Sequence, residues 1–301
     1  MARIITVGAA QLGPIARNDS RADVINRLID LMKQAKSVGC DLIVFPELAL
    51  TTFFPRWYME NQVEIDAFFE TEMPGTETRP LFELSAHLEI GFYLGYAELT
   101  IEKGQTRRYN TSILVNKSGQ IIGKYRKIHV PGHIEYKPEQ AFQHLERRYF
   151  DIGNLGFQVW RAFDGIIGMC ICNDRRWSET YRVMGLQNVE MILIGYSTPQ
   201  ETRLSQFHNH LVMQDGAYQN ATWVVGVAKA GREEGCDLIG DSAIIAPSGE
   251  IVAKSITLGD ELIVARCNLD LCQPLSNFEI YRQPEYYQAI CEQKSVTSED
   301  V

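Results

Sequence analysis

The sequence predicts an α/β protein made of two packed sheets with helices on their outer faces, and three observations carry that expectation. The chain opens as strand, helix, buried strand; it continues with about a dozen strand patterns against roughly four or five long helices; and no polar linker, charge block or fixed-period repeat divides it. One unit over residues 1–301 is expected, with a polar tail (SVTSEDV) fraying from about residue 295.

The elements follow in order. In MARIITVGAAQLG, Gln11 interrupts a short apolar stretch and Gly13 ends it, which suits a first strand better than a secretory signal. Residues 20–38 place Val24, Ile25, Leu28, Ile29, Leu31, Met32 and Ala35 at helical spacing behind a capping pair, Ser20 and Asp23. DLIVF (41–45), continuously apolar and closed by Pro46, reads as a strand covered on both faces. A helix over 78–90 and a strand over 91–99 come next. Two hairpin-like units then turn at NKSG and FDG, the second ending in IIGMCIC. Helix 178–188, strand MILIGY, helix 203–219, strand TWVVGVA, a hairpin around APSGE and strand ELIVARCNL complete the pattern.

A net charge of −9 repels a phosphate backbone, and KYRKIH (124–129), the most basic segment, is short and mixed, so nucleic acid is not expected as a partner. No apolar run approaches the ~18 residues that a membrane span needs. Small molecules and other protein chains remain. The seven cysteines are odd in number and scattered, without zinc-site or disulfide-framework spacing, so reduced thiols in a cytoplasmic protein without a metal or cofactor are expected.

Three reactive groups stand at the C-terminal ends of predicted strands: Glu47 after DLIVFP, Lys127 in GKYRKIH, and Cys172 after IIGMCI. Ligand crevices of α/β sheets lie outside strand ends, so the three can converge. Each alone has an ordinary explanation: a solvated loop acid, a surface lysine, a cysteine packed in the core like Cys170. Together they fit one chemistry. A thiolate attacks, an adjacent base must first take its proton, and positive charge or backbone N–H groups stabilise the oxyanion.

FPELAL (45–50), GKYRKIHVPG (123–132) and ICNDRRW (171–177) resemble the three signature regions of the nitrilase, or carbon–nitrogen hydrolase, superfamily, and the resemblance runs to about residue 290. Within it, PELALTTFFPRW, RRYNTSILV, FQHLERRYF, YRVMGL and EEGCDLIG are most similar to the N-carbamoyl-D-amino acid amidohydrolase branch. The resemblance implies a four-layer α-β-β-α sandwich assembling into homodimers or homotetramers. It implies Cys172 as nucleophile, Glu47 as general base, Lys127 with the Asn173 backbone N–H as oxyanion site, and Glu146 as a second glutamate holding the site together. His129 and His144 match polar pocket residues, and Thr198 falls among the substrate-binding positions. Arg175 and Arg176, side by side after the nucleophile, could bind a substrate carboxylate bidentately. The reaction implied is removal of the carbamoyl group from N-carbamoyl, D-configured amino acids. Two departures bear on side-chain preference: Ser197 stands where the branch would have asparagine, and the loop over 199–210 is shorter.

The rival readings are another amidase of the superfamily, acting on a carbamoyl amine, simple amide or nitrile, and a catalytically silent binding subunit. The second should have lost one of the three reactive groups, and all three are present. A Cys–His protease arrangement using His129 or His144 would leave Glu47 and Lys127 without a role.

Overall fold

The structure is a computed structural model and describes residues 2–272 and 281–292; the expected polar tail lies outside the described residues. One six-stranded sheet comprises β1 (Ile4–Gln11), β2 (Leu42–Val44), β3 (Gly91–Glu102), β4 (Gln105–Val115), β5 (Ile121–Arg126) and β14 (Glu261–Asn268), in the order β14-β1-β2-β3-β4-β5. The other comprises β6 (Val159–Ala162), β7 (Gly165–Ile171), β8 (Met191–Tyr196), β9 (Trp223–Ala228), β12 (Ala243–Ile245) and β13 (Ile251–Lys254), in the order β13-β12-β9-β8-β7-β6. In each sheet the central strands run parallel and the outer pairs antiparallel.

Period-2 alternation sorts the side chains into layers. Val7, Ala9, Leu42, Val44 and Tyr93 join Met169, Ile171, Met191 and Leu193 in one apolar cluster shared by the two sheets. Their neighbours Ala10, Ile43, Phe45, Phe92 and Leu94 point the other way, onto α1 (Arg21–Ser37) and α3 (Arg79–Leu88). On the far side α5 (Ser178–Gly185) and α6 (Ser205–Gln219) cover the second sheet through Tyr181, Met184, Met213 and Ala217. The result is the four-layer α-β-β-α sandwich. Helix α1 starts where the sequence puts it, with Ser20 Oγ accepting from the Asp23 N–H at 3.1 Å.

Three local features differ from expectation. The helix expected over 178–188 stops at Gly185, and Asn188 turns the chain back with φ 61°. Short elements α2 (Gln62–Asp66) and α4 (Glu146–Tyr149) lie in stretches without a clear period. The segment GREEGCDLIG folds as a separate hairpin, β10 (Ala230–Glu233) and β11 (Cys236–Ile239), because Gly235 with φ 85° follows Glu234 with φ 49° at its turn. Buried ionic contacts fix this hairpin. Glu233 accepts from Lys229 Nζ at 2.7 Å, Arg56 Nη2 at 2.9 Å and the Phe53 N–H at 2.7 Å.

The sheets approach closely around the turn after β2. A Cβ on Gly195 of β8 would stand 2.5 Å from the Glu47 backbone nitrogen and 2.7 Å from the Pro46 carbonyl carbon. One on Gly95 of β3 would stand 2.7 Å from the Pro46 oxygen. Glycine on both strands therefore leaves room for the turn between them. Gly195→Ala is expected to cost about 1–3 kcal/mol by overpacking, read as a lower urea midpoint. Gly259→Ala, where nothing lies within 4 Å of the added carbon, serves as the near-neutral control.

Candidate active site

The reactive side chains sit at the C-terminal ends of strands from both sheets. Glu47 follows β2 after Pro46, Lys127 follows β5, Cys172 follows β7, and Ser197 and Thr198 follow β8. Glu146 opens α4, which closes over the same place. Glu47, Lys127 and Glu146 are at most 1 % exposed.

Lys127 bridges the two carboxylates. Its Nζ donates to Glu146 Oε2 at 2.5 Å and to Glu47 Oε1 at 2.8 Å. Glu47 Oε1 also accepts from Asn110 Nδ2 at 2.8 Å, and Oε2 accepts the Ser197 backbone N–H at 2.9 Å. Both Glu47 oxygens are thus held in position. Glu146 Oε1 lies 3.0 Å from His144 Nε2. Burial disfavours charge on Lys127, but the attraction of Glu146 and Glu47 outweighs it and holds the ammonium well above its ordinary range. Burial likewise opposes charge on Glu146, yet Lys127 and His144 bring its carboxyl below the usual range.

Cys172 is buried and adopts φ 47°, a left-handed conformation that a non-glycine residue keeps only where its surroundings enforce it. Asp174 supplies much of that enforcement. Its Oδ2 accepts the Ile171 N–H at 3.1 Å and the Tyr125 hydroxyl at 2.8 Å; its Oδ1 accepts the His129 N–H at 2.8 Å. The Cys172 turn is therefore bolted to the segment that carries Lys127. Burial pushes the Cys172 thiol up, Glu47 adds to that, and Lys127 and Arg175 oppose it. Burial and the carboxylates outweigh the two cations, so the resting group favours the thiol.

Arg175 and Arg176 do not form the paired clamp that their adjacency suggested. Both lie in a 3₁₀ turn (Cys172–Arg176), where successive side chains point roughly 120° apart. Arg175 is turned inward. Its Nη1 donates to the Cys172 carbonyl at 2.7 Å and lies 3.7 Å from Sγ; Nη2 donates to Thr198 Oγ1 at 2.9 Å and Nε to Asn209 Oδ1 at 2.9 Å. The guanidinium also lies over the Tyr196 ring. Arg176 is exposed, beside Ser178, Asp215 and Gln219 on a recess between α5 and α6 whose wall Arg175 also reaches.

The remaining expected residues divide in the same way. His144 reaches Glu146 and Thr198 reaches Arg175. His129 instead braces the turn, with Nδ1 2.9 Å from Asp174 Oδ1 and its ring stacked on Trp177. Asn173 Nδ2 donates to the His129 carbonyl at 3.1 Å. Asn110 and Asp174 were not anticipated. Asn110 sits mid-strand in β4, where its sequence surroundings read only as strand, and Asp174 reads as one charge among several.

A cavity of about 560 Å³ opens beside this cluster, at His144 and Ser197, the residues hydrogen-bonded to Glu146 and Glu47. Phe53, His133, His144, Ser197, Gln200 and Asp237 are among its lining residues, and the β10–β11 hairpin forms one wall.

A model of the carbon-nitrogen hydrolase family matches residues 6–277. A citrullinase from Francisella tularensis is 27% identical over 289 residues, spanning 91% of this chain and 94% of that protein. An N-carbamoylputrescine amidase from Arabidopsis thaliana is 28% identical, spanning 86% of this chain and 87% of that one. Among solved structures, a carbon-nitrogen hydrolase from Helicobacter pylori G27 superposes with a TM-score of 0.82 at 21% identity, covering 97% of this chain and 99% of that one. An amidase from Nesterenkonia sp. superposes with a TM-score of 0.73 at 16% identity, covering 96% and 97%.

Proposed function

Because the chain belongs to the carbon-nitrogen hydrolase family, we propose that it hydrolyses the carbamoyl group of N-carbamoyl, D-configured amino acids, giving the amino acid, ammonia and carbon dioxide. Glu47 takes the Cys172 proton as the sulfur attacks the ureido carbon. Lys127 and the Asn173 N–H receive the oxyanion, one nitrogen group departs with a proton from Glu47, and water deprotonated by Glu47 cleaves the thioester-like intermediate. Glu146 keeps Lys127 charged and placed between the acids, and His144 keeps Glu146 in place. Neither a metal nor a cofactor enters these steps. A homodimer or homotetramer in the cytoplasm, where thiols stay reduced, is the proposed setting.

The observation that carries the substrate choice is Arg175. It is 1 % exposed, and no carboxylate among the described residues stands at ion-pair distance from it. A buried guanidinium lacking an anionic partner favours a ligand that brings one. Four of its five N–H groups are used, on the Cys172 carbonyl and sulfur, Thr198 and Asn209. The remaining one is on Nη2, beside Thr198, and the Nη1 contact to the sulfur is long at 3.7 Å. The relatives named for citrulline and N-carbamoylputrescine support a ureido substrate, since both compounds carry that group.

Ammonia release from a panel of N-carbamoyl D- and L-amino acids tests the proposal, with a carbamoyl amine, a simple amide and a nitrile as controls. Turnover is expected for the carboxylate-bearing D series above all others. A higher kcat/KM for the carbamoyl amine, the amide or the nitrile would overturn the carboxylate assignment, and a preference for the L series would overturn the handedness.

A further inference from the structure

We propose that Ser197 Oγ is a substrate-binding group on the leaving-group side of the site, accepting a hydrogen bond from the N–H of the nitrogen that departs. The inference rests on the reading above that Cys172 attacks a carbonyl carbon bonded to nitrogen with Glu47 beside it. It does not require the substrate to be an N-carbamoyl amino acid.

Ser197 is 4 % exposed, and its hydroxyl has no hydrogen-bond partner among the described residues. Buried hydroxyls are nearly always satisfied, so an orphan calls for an explanation. Its surroundings supply one. The residue lines the cavity that opens beside the cluster, and its own backbone N–H is spent on Glu47 Oε2 at 2.9 Å. The hydroxyl is therefore carried on the same residue that fixes the base. The adjacent side chain differs: Thr198 Oγ1 is occupied by Arg175 Nη2 at 2.9 Å. Two neighbouring hydroxyls at one strand end thus divide into one that braces the protein and one left open.

The chemistry selects the ligand atom. The carbonyl oxygen of a bound substrate goes to the positive side of the site, at Lys127. The nitrogen that leaves must sit by Glu47, which returns a proton to it. A nitrogen beside Glu47 is also beside Ser197, and its N–H needs an acceptor once water is excluded. Ser197 Oγ can rotate among its staggered positions to provide one, which directs the nitrogen lone pair toward the acid. An ester, with no N–H at that position, gains nothing from the contact. Ser197 would thus favour carbon–nitrogen over carbon–oxygen bonds within a site whose nucleophile can attack either.

The test compares wild type, Ser197→Ala and Ser197→Thr on a primary amide and the methyl ester of the same acyl group, which pass through the same thioester. Ser197→Ala is expected to lower kcat/KM for the amide by about 10- to 100-fold more than for the ester. Ser197→Thr, which keeps a hydroxyl, is expected to restore much of the discrimination. The melting temperature of Ser197→Ala should not fall, because the lost group has no partner among the described residues. An unchanged amide-to-ester ratio overturns the inference, as does an equal loss on both substrates accompanied by a lower melting temperature. If wild type hydrolyses amides and not ureides, the substrate proposed above fails while this ratio still decides the role of Ser197.

Discussion

Cys172→Ala is expected to reduce ammonia release to the uncatalysed background, a loss of about 10⁴-fold or more, while circular dichroism and the thermal midpoint change little. The two outcomes separate because the turn does not depend on the sulfur. Asp174 anchors it through the Ile171 N–H and Tyr125, and Arg175 binds the Cys172 carbonyl. The same variant should lose the slow, alkaline-dependent labelling by iodoacetamide. In wild type that labelling is expected to rise with pH beyond the ordinary thiol range, since burial and Glu47 raise the pKa of the group. Residual turnover well above background in Cys172→Ala would end the covalent mechanism.

Lys127→Met is expected to damage both activity and fold. Removing the ammonium leaves Glu47 and Glu146 facing each other in a buried site, which costs about 3–5 kcal/mol when one partner of a buried ion pair is lost. Loss of the oxyanion contact should lower kcat by a further factor of about 10²–10³. The pH dependence follows from the directions of the shifts. Lys127 has a raised folded pKa, so its contribution is complete below the ordinary lysine value of 10.5 and is lost only as pH rises through the higher folded one. Glu146 has a lowered pKa, so its contribution is present above the ordinary value of 4.5 and is lost as pH falls toward the folded one. In wild type the pair therefore stabilises across the neutral range. In Lys127→Met the uncompensated acids repel most near neutrality, and protonating one of them at lower pH relieves the strain. Urea unfolding at pH 7.5 and 4.5 checks this: the deficit relative to wild type should narrow at the lower pH, and a constant deficit would point to lost packing instead.

Much of the framework was legible in the chain because hydrophobic period survives folding. The 3.6-residue spacing in 20–38 and the continuous apolar runs of β2, β7, β8 and β9 each mark one element and one burial state. Strand ends were legible for the same reason, and with them Glu47, Lys127 and Cys172. The β10–β11 hairpin was not, since its alternation is brief and its stability comes from Glu233 bonding Arg56 and the Phe53 N–H, about 180 residues away in sequence. Adjacency in sequence misled at Arg175 and Arg176, because a 3₁₀ turn sends neighbours to opposite environments.

The amino-acid sequence by itself determined which segments become strands and helices, the two-sheet layering, and the chemical types gathered at strand ends. Those properties follow from local period and residue type. Only the tertiary structure decided that Lys127 stands between two acids and that, among the described residues, the buried Arg175 has no carboxylate at ion-pair distance and the Ser197 hydroxyl has no partner. Lys127 and the two acids come from separate segments, and Arg175 meets Cys172 only through the shape of a 3₁₀ turn. Such relations are fixed at distances of about 3 Å, where hydrogen bonds form or fail, and no hydrophobic period encodes them.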